Sequence, residues 1–255
     1  MPTDIELLDA HRRVWDAKPL LRDSYRRYYD QVLTTCAKDA IVVELGCGIG
    51  GFAARARALG FTRWFATDII ASPDADLRCN AMALPFATGS VDRIVFVDVL
   101  HHLSEPPRFF AEAARVLRPG GEIVCVEPWV TAFSYPVYRF IHQEGCDLTR
   151  DVDAPFSRAG SKPAYEGDAG LTTLVCRKIA PVRWNALGFE PPRVRTFNDF
   201  AYLSTRGLRE GPDAPTPVYV LARAILDVFF APFSFLLALR ARIRWRRLDP
   251  GTRAS

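Results

Sequence analysis

The chain has 255 residues, enough for one α/β domain with additions and a sizeable core. Hydrophobic residues make up 49% and charged residues 24%, which excludes a disordered or fibrous chain. The net charge of +4 is concentrated at one end: beyond residue 239 six arginines stand against one acid, Asp249, so no broad nucleic-acid-binding face is expected. Six scattered cysteines form no C-x-x-C pair and no secretory signal is evident, which predicts reduced thiols, a cytoplasmic location and no metal site. From Asp4 to about Ala37 apolar positions recur at helical spacing (Leu7, Leu8, His11, Val14), with Asp4 as cap and Pro19 as a break. The second part of this segment carries Arg22, Tyr25, Tyr28 and Tyr29.

Ile41 to Phe52, IVVELGCGIGGF, is the densest signal in the chain. Ile41, Val42 and Val43 form a β-branched run suited to a buried parallel strand, closed by Glu44. Gly46, Cys47, Gly48, Ile49, Gly50 and Gly51 follow as a turn, and FAARARALG then predicts a helix capped at Gly60. Strand, glycine turn and helix open a nucleotide-binding unit, in which bare main chain lies against the ligand. Gly46, Gly48 and Gly51 also fit G-x-G-x-x-G, which keeps an NAD(P)-dependent oxidoreductase open as the alternative. Glu44 argues against it: a carboxylate there repels a pyrophosphate, whereas S-adenosylmethionine carries a sulfonium and an ammonium and no phosphate. Arg63 to Asp68 is the next predicted strand. Asp68 stands about 20 residues after the turn, where an acid accepts from both ribose hydroxyls, or else simply caps the next turn.

Asp92 to Asp98 predicts a fourth strand, followed by Val99, Leu100, His101, His102 and Leu103. Ligands in open α/β sheets sit off the carboxyl ends of the strands, so Asp98, His101 and His102 are candidates to meet the reacting group. At least one histidine is equally well explained as structural. Pro106 to Leu117 predicts a helix, Arg118-Pro119-Gly120-Gly121 a sharp turn, and Glu122 to Glu127 a fifth strand.

The strings ELGCGIGG and RVLRPGGEIVCVEP, with the segments between them, resemble the ordered motifs of class I S-adenosylmethionine-dependent methyltransferases of the type 11 kind, over about Ile41 to Pro128. The resemblance implies S-adenosylmethionine as cofactor and S-adenosylhomocysteine as product. It implies binding by Glu44, Gly46, Cys47, Gly48 and Gly50 in the turn, by Asp68 and Ile69, and by Asp98. Asn80, Ala81 and Met82, with Leu84, Pro85 and Phe86, would surround the adenine. Asn80 departs from the family's acid, yet its carbonyl oxygen can still accept from the adenine amino group. Dinucleotide enzymes have no such segment. In this fold a leading helix commonly crosses the mouth of the cofactor site, where Arg22 or Tyr25 would meet the methionine carboxylate; a helix packed on the sheet with solvated arginines is the alternative.

From Trp129 the chain leaves these motifs. WVTAFSYPVYRFIHQEGCDL is aromatic-rich and is expected on the acceptor side, with Tyr135, Tyr138, His142 and Glu144 as polar handles. His142 is a third candidate base, although positions i and i+2 of a helix face different ways and do not pair His142 with Glu144 by spacing. Residues 145–170 are turn-rich and predict a lid. Leu171 to Cys176, Lys178 to Leu187 and Arg193 to Phe197 are expected to complete the sheet. Val228 to Leu239 is twelve uncharged residues broken by Pro232, too short to span a bilayer. With the arginines that follow, residues 218–247 have the composition of a segment lying on a membrane, or of an apolar helix with a solvated basic tail. This tail and the region of Glu166 to Ala169 also look like bacterial methyltransferases of cell-surface glycan or lipid pathways.

The expected fold is α/β, a Rossmann-like doubly wound seven-stranded sheet with N-terminal helices and a hydrophobic C-terminal helical extension. The expected divisions are an N-terminal helical segment over 1–38, a methyltransferase domain over 39–206 with an acceptor-side insertion over 129–170, and an extension over 207–255. The expected activity is methyl transfer to a small hydrophobic or lipid- or glycan-linked acceptor, an oxygen being favoured, in a cytoplasmic protein at or near the inner face of the membrane. A cofactor-binding partner subunit without catalysis is a third possibility.

Overall fold

A computed structural model of the chain describes residues 3–142, 144–154 and 165–249. Helix α1 (Asp4–Ala17) is capped by Thr3, one residue before the expected Asp4: the Thr3 hydroxyl accepts from Glu6 N–H while the Glu6 carboxylate accepts from Thr3 N–H at 2.7 Å. Pro19 opens α2 (Pro19–Leu33), where its missing N–H costs nothing. Between the two helices Lys18 is buried, its ammonium donating to the carbonyls of Thr205, Gly207 and Arg209.

The sheet contains β1 (Val42–Leu45), β2 (Trp64–Asp68), β3 (Leu77–Arg78), β4 (Val91–Val97), β5 (Leu117–Pro128), β6 (Arg193–Phe197) and β7 (Arg240–Arg246), in the spatial order β3-β2-β1-β4-β5-β7-β6. Strand β7 runs antiparallel to both neighbours and every other pairing is parallel. The connection from β1 runs one way through α3 (Gly51–Ala58) to β2, while β4 adds on the other side of β1. That reversal opens a crevice beyond the carboxyl ends of β1 and β4, the place where such sheets bind ligands. Helices cover both faces. On one, α2 and α3 bury Tyr28, Phe52, Trp64, Val95 and Val124. On the other, α4 (Pro106–Val116), α6 (Leu171–Lys178) and α7 (Pro181–Ala186) bury Phe109, Phe110, Trp184 and Trp245. The short helical turn α5 (Ser134–Pro136) follows β5.

The C-terminal part differs from expectation. The apolar extension is helical as far as Leu237, in α9 (Thr216–Leu221), wider π turns over Ala222–Phe229 and α10 (Ser234–Leu237), while α8 (Phe200–Ser204) precedes it. The arginines after it are not a basic tail on that helix. They alternate along β7 with Ala241, Ile243 and Trp245, all three fully buried, so the strand is amphipathic with period two. Arg244 meets Glu122 at 3.5 Å and Arg246 meets Glu190 at 3.7 Å on the other face. Arg223 reaches Asp23 at 3.1 Å, and Asp227 accepts from the N–H groups of Phe200 and Ala201. Within the expected lid, residues 155–164 lie outside the described residues, and the flanking Cys146, Asp168 and Ala169 are buried.

Because β7 joins β5 to β6, a chain ended after Leu239 is expected to fail to fold, as judged by circular dichroism and solubility. Trp245→Ala should cost about 3–5 kcal/mol in urea unfolding, against roughly 1 kcal/mol or less for the exposed Arg246→Ala.

Candidate functional site

Two adjoining cavities open at the crevice, of about 350 Å³ and about 210 Å³. Both are lined by Gly46, Gly48, Asp98, His102 and Tyr165, so these residues mark where the two meet.

The smaller cavity holds most of the expected cofactor residues: Gly46, Gly48, Asp68, Ile69, Asn80, Ala81, Met82 and Asp98. Gly46, Gly48 and Gly50 all have positive φ, and a Cβ on Gly48 would meet no protein atom within 4 Å. Main chain is therefore bare towards a ligand at Gly48. The carboxylate of Asp68 ties the turn to the end of β2, accepting from Gly48 N–H at 2.8 Å and from Ile70 N–H at 3.0 Å. Each oxygen keeps a lone pair for a further donor. Asn80 is differently engaged: its carbonyl oxygen accepts from Met82 N–H at 2.9 Å, closing a local turn at the cavity wall. Leu84 is buried in the core and Phe86 packs edge-on against Phe65, so neither lines a cavity as expected.

Glu44 and Cys47 line the larger cavity, whereas Gly50 lines neither: a Cβ there would meet Asp74. Glu44 is buried and accepts from the Trp64 indole N–H at 2.6 Å. Burial pushes its carboxyl up to about 8. At neutral pH it is mainly protonated, so the charge that turns a pyrophosphate away is not on Glu44. Asp68 and Asp98 stand at the cavity instead, and no lysine or arginine lines the smaller cavity among the described residues. This wall suits a ligand with cationic groups and a ribose, and it suits a pyrophosphate poorly.

Arg22 does not reach either cavity. Its guanidinium donates to the carbonyls of Trp15 and Asp16, at the end of α1. Tyr25 does line the larger cavity, its hydroxyl donating to Asp98 at 3.1 Å. The guanidinium at the site is Arg240, from β7. It is buried, bonded to Asp98, 3.6 Å from Asp199, and held between the rings of Tyr28 and Tyr202. Asp98 itself has φ of +59°, uncommon for a residue with a side chain, and aims its carboxylate between Tyr25 and Arg240.

The three candidate histidines gather around Glu144. His101 is buried, its Nδ1 2.7 Å from Glu127 and its Nε2 3.0 Å from Glu144. Glu127, at the end of β5, also accepts from the N–H groups of Val99 and Leu100 and from the Thr172 hydroxyl. Burial alone would push His101 down, but the two carboxylates outweigh it and push it up to about 10, so it is an imidazolium at neutral pH. His102 lies 3.6 Å from Glu144 and is pushed down to about 4 by burial and by the charge on His101. His142 is 3.9 Å from Glu144 and is likewise held low, first by burial. The pairing arises because the helical turn ends at Ile141 and His142 is extended, which the helical expectation could not supply. Glu144 is held well below the usual carboxylate range: burial is outweighed by His101 and its hydrogen bond. Of the aromatic handles, Tyr138 is buried and donates to the Leu239 carbonyl, while Tyr135 is exposed.

Residues 43–125 match the family model described as a methyltransferase domain. A demethylmenaquinone methyltransferase of Renibacterium salmoninarum is 35% identical over 96 residues, 36% of this chain and 38% of the relative. Methyltransferase GfsG of Streptomyces halstedii is 33% identical over 149 residues, 52% of this chain and 53% of the relative. The chain thus spans about half, or less, of the length of these curated relatives. A methyltransferase structure from Archaeoglobus fulgidus, dependent on S-adenosylmethionine, shares the fold at 13% identity, covering 89% of this chain and 94% of that one with a TM-score of 0.54. By that match residues 43–125 form a methyltransferase domain, and the sheet has the fold of the S-adenosylmethionine-dependent Archaeoglobus structure.

Proposed function

We propose that the protein transfers a methyl group from S-adenosylmethionine to a hydroxyl oxygen of a small, hydrophobic or lipid- or glycan-linked acceptor. The observation that carries this reading is the position of His102. It lines both cavities, is neutral at pH 7, and lies beside the Glu144 carboxylate. Bound S-adenosylmethionine supplies an electrophilic methyl and leaves as a neutral thioether. The acceptor oxygen forms the new O–CH₃ bond as the S–CH₃ bond breaks, its electron pair returning to sulfur. Asp68, the Gly48 main chain and the wall at Asn80 to Met82 hold the nucleoside part. The larger cavity, with Trp15, Tyr25, Phe52 and Tyr202, places the acceptor and keeps water out, and this alignment supplies most of the rate. His102 takes the acceptor's proton, and Glu144 stabilises the imidazolium that forms. His101, already an imidazolium between two carboxylates, cannot accept a proton and is a positioning residue for Glu144. A partner subunit that only binds cofactor has no use for this arrangement.

Asp68→Ala is expected to weaken binding of S-adenosylhomocysteine by about tenfold to a hundredfold in calorimetry, the loss of a charge-assisted contact. Undiminished binding in the variant, or preference for NADH in the wild type, would overturn the cofactor site. With small hydrophobic alcohols and phenols as acceptors, His102→Ala should lower kcat about 10²–10⁴-fold. Its affinity for S-adenosylhomocysteine should change far less; an unchanged kcat would remove His102 as the base.

His101 also makes stability depend on pH. Its folded value is raised, so the stability it contributes is complete below the unfolded value of about 6.5 and is lost as pH rises through about 10. Thermal melting of the wild type should therefore fall from pH 7 to 10, and His101→Gln should flatten that fall. A parallel decline in the variant would show that His101 is not the group responsible.

A further inference from the structure

Ten of the twenty large apolar side chains exposed among the described residues lie in one segment, 216–237. Leu221, Val228, Phe229, Phe233 and Phe235 are each at least half exposed. A patch of this size on a folded domain marks a surface that something else covers.

The polar groups of the segment are turned inward and satisfied there. Asp227, the sole acid between Thr216 and Leu239, is spent on the N–H groups of Phe200 and Ala201. Asn198 donates to the carbonyls of Leu226 and Phe230, both at 2.9 Å, tying the segment at its break to the residues before α8. Tyr219 is buried and its hydroxyl donates to Asp23, anchoring the segment to α2. What faces outward is hydrocarbon bordered by the exposed Arg223. The same chemistry continues at the mouth of the larger cavity. Phe133 N–H donates to the Leu236 carbonyl, and from Phe133 the chain runs on to Arg139, Phe140 and Ile141, all three exposed. Ile141 also lines the larger cavity.

We propose that segment 216–237, with Phe140 and Ile141, docks on a lipid bilayer bearing anionic headgroups and lies in its interface at the mouth of the larger cavity. No single helix among the described residues is long and apolar enough to cross a membrane. The two arms, Thr216–Phe229 and Ala231–Leu237, bend by 65° at their break. At 1.5 Å per residue they reach about 21 Å and about 10 Å, against a hydrocarbon core of roughly 30 Å, so they suit lying in the surface. The charge pattern selects the occupant. Hydrocarbon edged by the exposed Arg139, with Arg223 held by Asp23 and Asp227 turned inward, complements anionic headgroups. A two-fold contact with a second copy would press two apolar segments together, and segment 216–237 turns no acid outward to meet the partner's Arg139.

The test is co-sedimentation of the full chain with phosphatidylcholine vesicles, with and without phosphatidylglycerol. The expected result is binding to the anionic vesicles at least tenfold tighter than to phosphatidylcholine alone. It should weaken at least tenfold in a Phe229→Asp/Phe235→Asp double variant with an unchanged melting temperature. No binding, equal binding to both vesicles, or self-association in solution that the same double variant relieves would each overturn the proposal. The readout involves no methyl transfer, so its failure leaves the reading of the catalytic residues standing, and the reverse holds too.

Discussion

The buried guanidinium of Arg240 is the contact on which the site's construction depends. It joins β7 to Asp98 at the end of β4, to Asp199 at the start of α8, and to the rings of Tyr28 on α2 and Tyr202 on α8. Four separate parts of the chain are registered by one cation. Taking an ion pair out of water is costly, and removing one partner of such a pair is costlier than replacing both. Arg240 is supplied with two carboxylates and two aromatic faces, and Tyr28 donates to Asp199, so each charge is matched by several neighbours. The same arrangement holds Asp98 in its strained backbone conformation at the junction of the two cavities.

A second charged group, Glu127–His101–Glu144, reaches the larger cavity through His101 and Glu144. It fixes the short turn after β4 from below, because Glu127 satisfies the first two N–H groups of that turn. It also sets the protonation of its neighbours: burial and then the charge on His101 depress His102, and at Glu144 that charge and its hydrogen bond outweigh burial. A neutral imidazole and an anionic carboxylate thus sit side by side in a largely buried pocket. Charges separated in this way are characteristic of sites that move protons.

Much of this was legible in the residues. The β-branched run and the glycines specified strand and turn, because those constraints are local and backbone-based, whereas the tie from Asp68 to Gly48 came only with the structure. The histidines after β4 were legible from topology alone. Arg240 was not, since nothing within a few residues of it indicates Tyr28 or Asp98; its meaning comes from contacts more than a hundred residues away. The misreading of 240–246 had a different cause. RARIRWR alternates perfectly, but its charge density drew attention from its period, and the period is what burial obeys. Arg22 failed because a helix C-terminus close at hand competed for its donors. Glu44 lies near the end of β1 as read, but it lines the larger cavity and burial raises its carboxyl beyond what a motif can express.

The position of β7 has a consequence for how the protein is made. In the finished sheet it lies between β5 and β6, yet it follows both in the chain. During synthesis β6 emerges with no partner to pair with, because its neighbour has not been translated. The N-terminal helices wait as well, as Lys18 needs carbonyls near residue 207 and Tyr28 needs Asp199. Strands β1 to β5 can begin to pair as they emerge, but the fold stays open until β7 arrives. The apolar arm emerges just before the strand that closes the fold. For that interval a chaperone or a membrane surface is the natural shelter for the growing polypeptide.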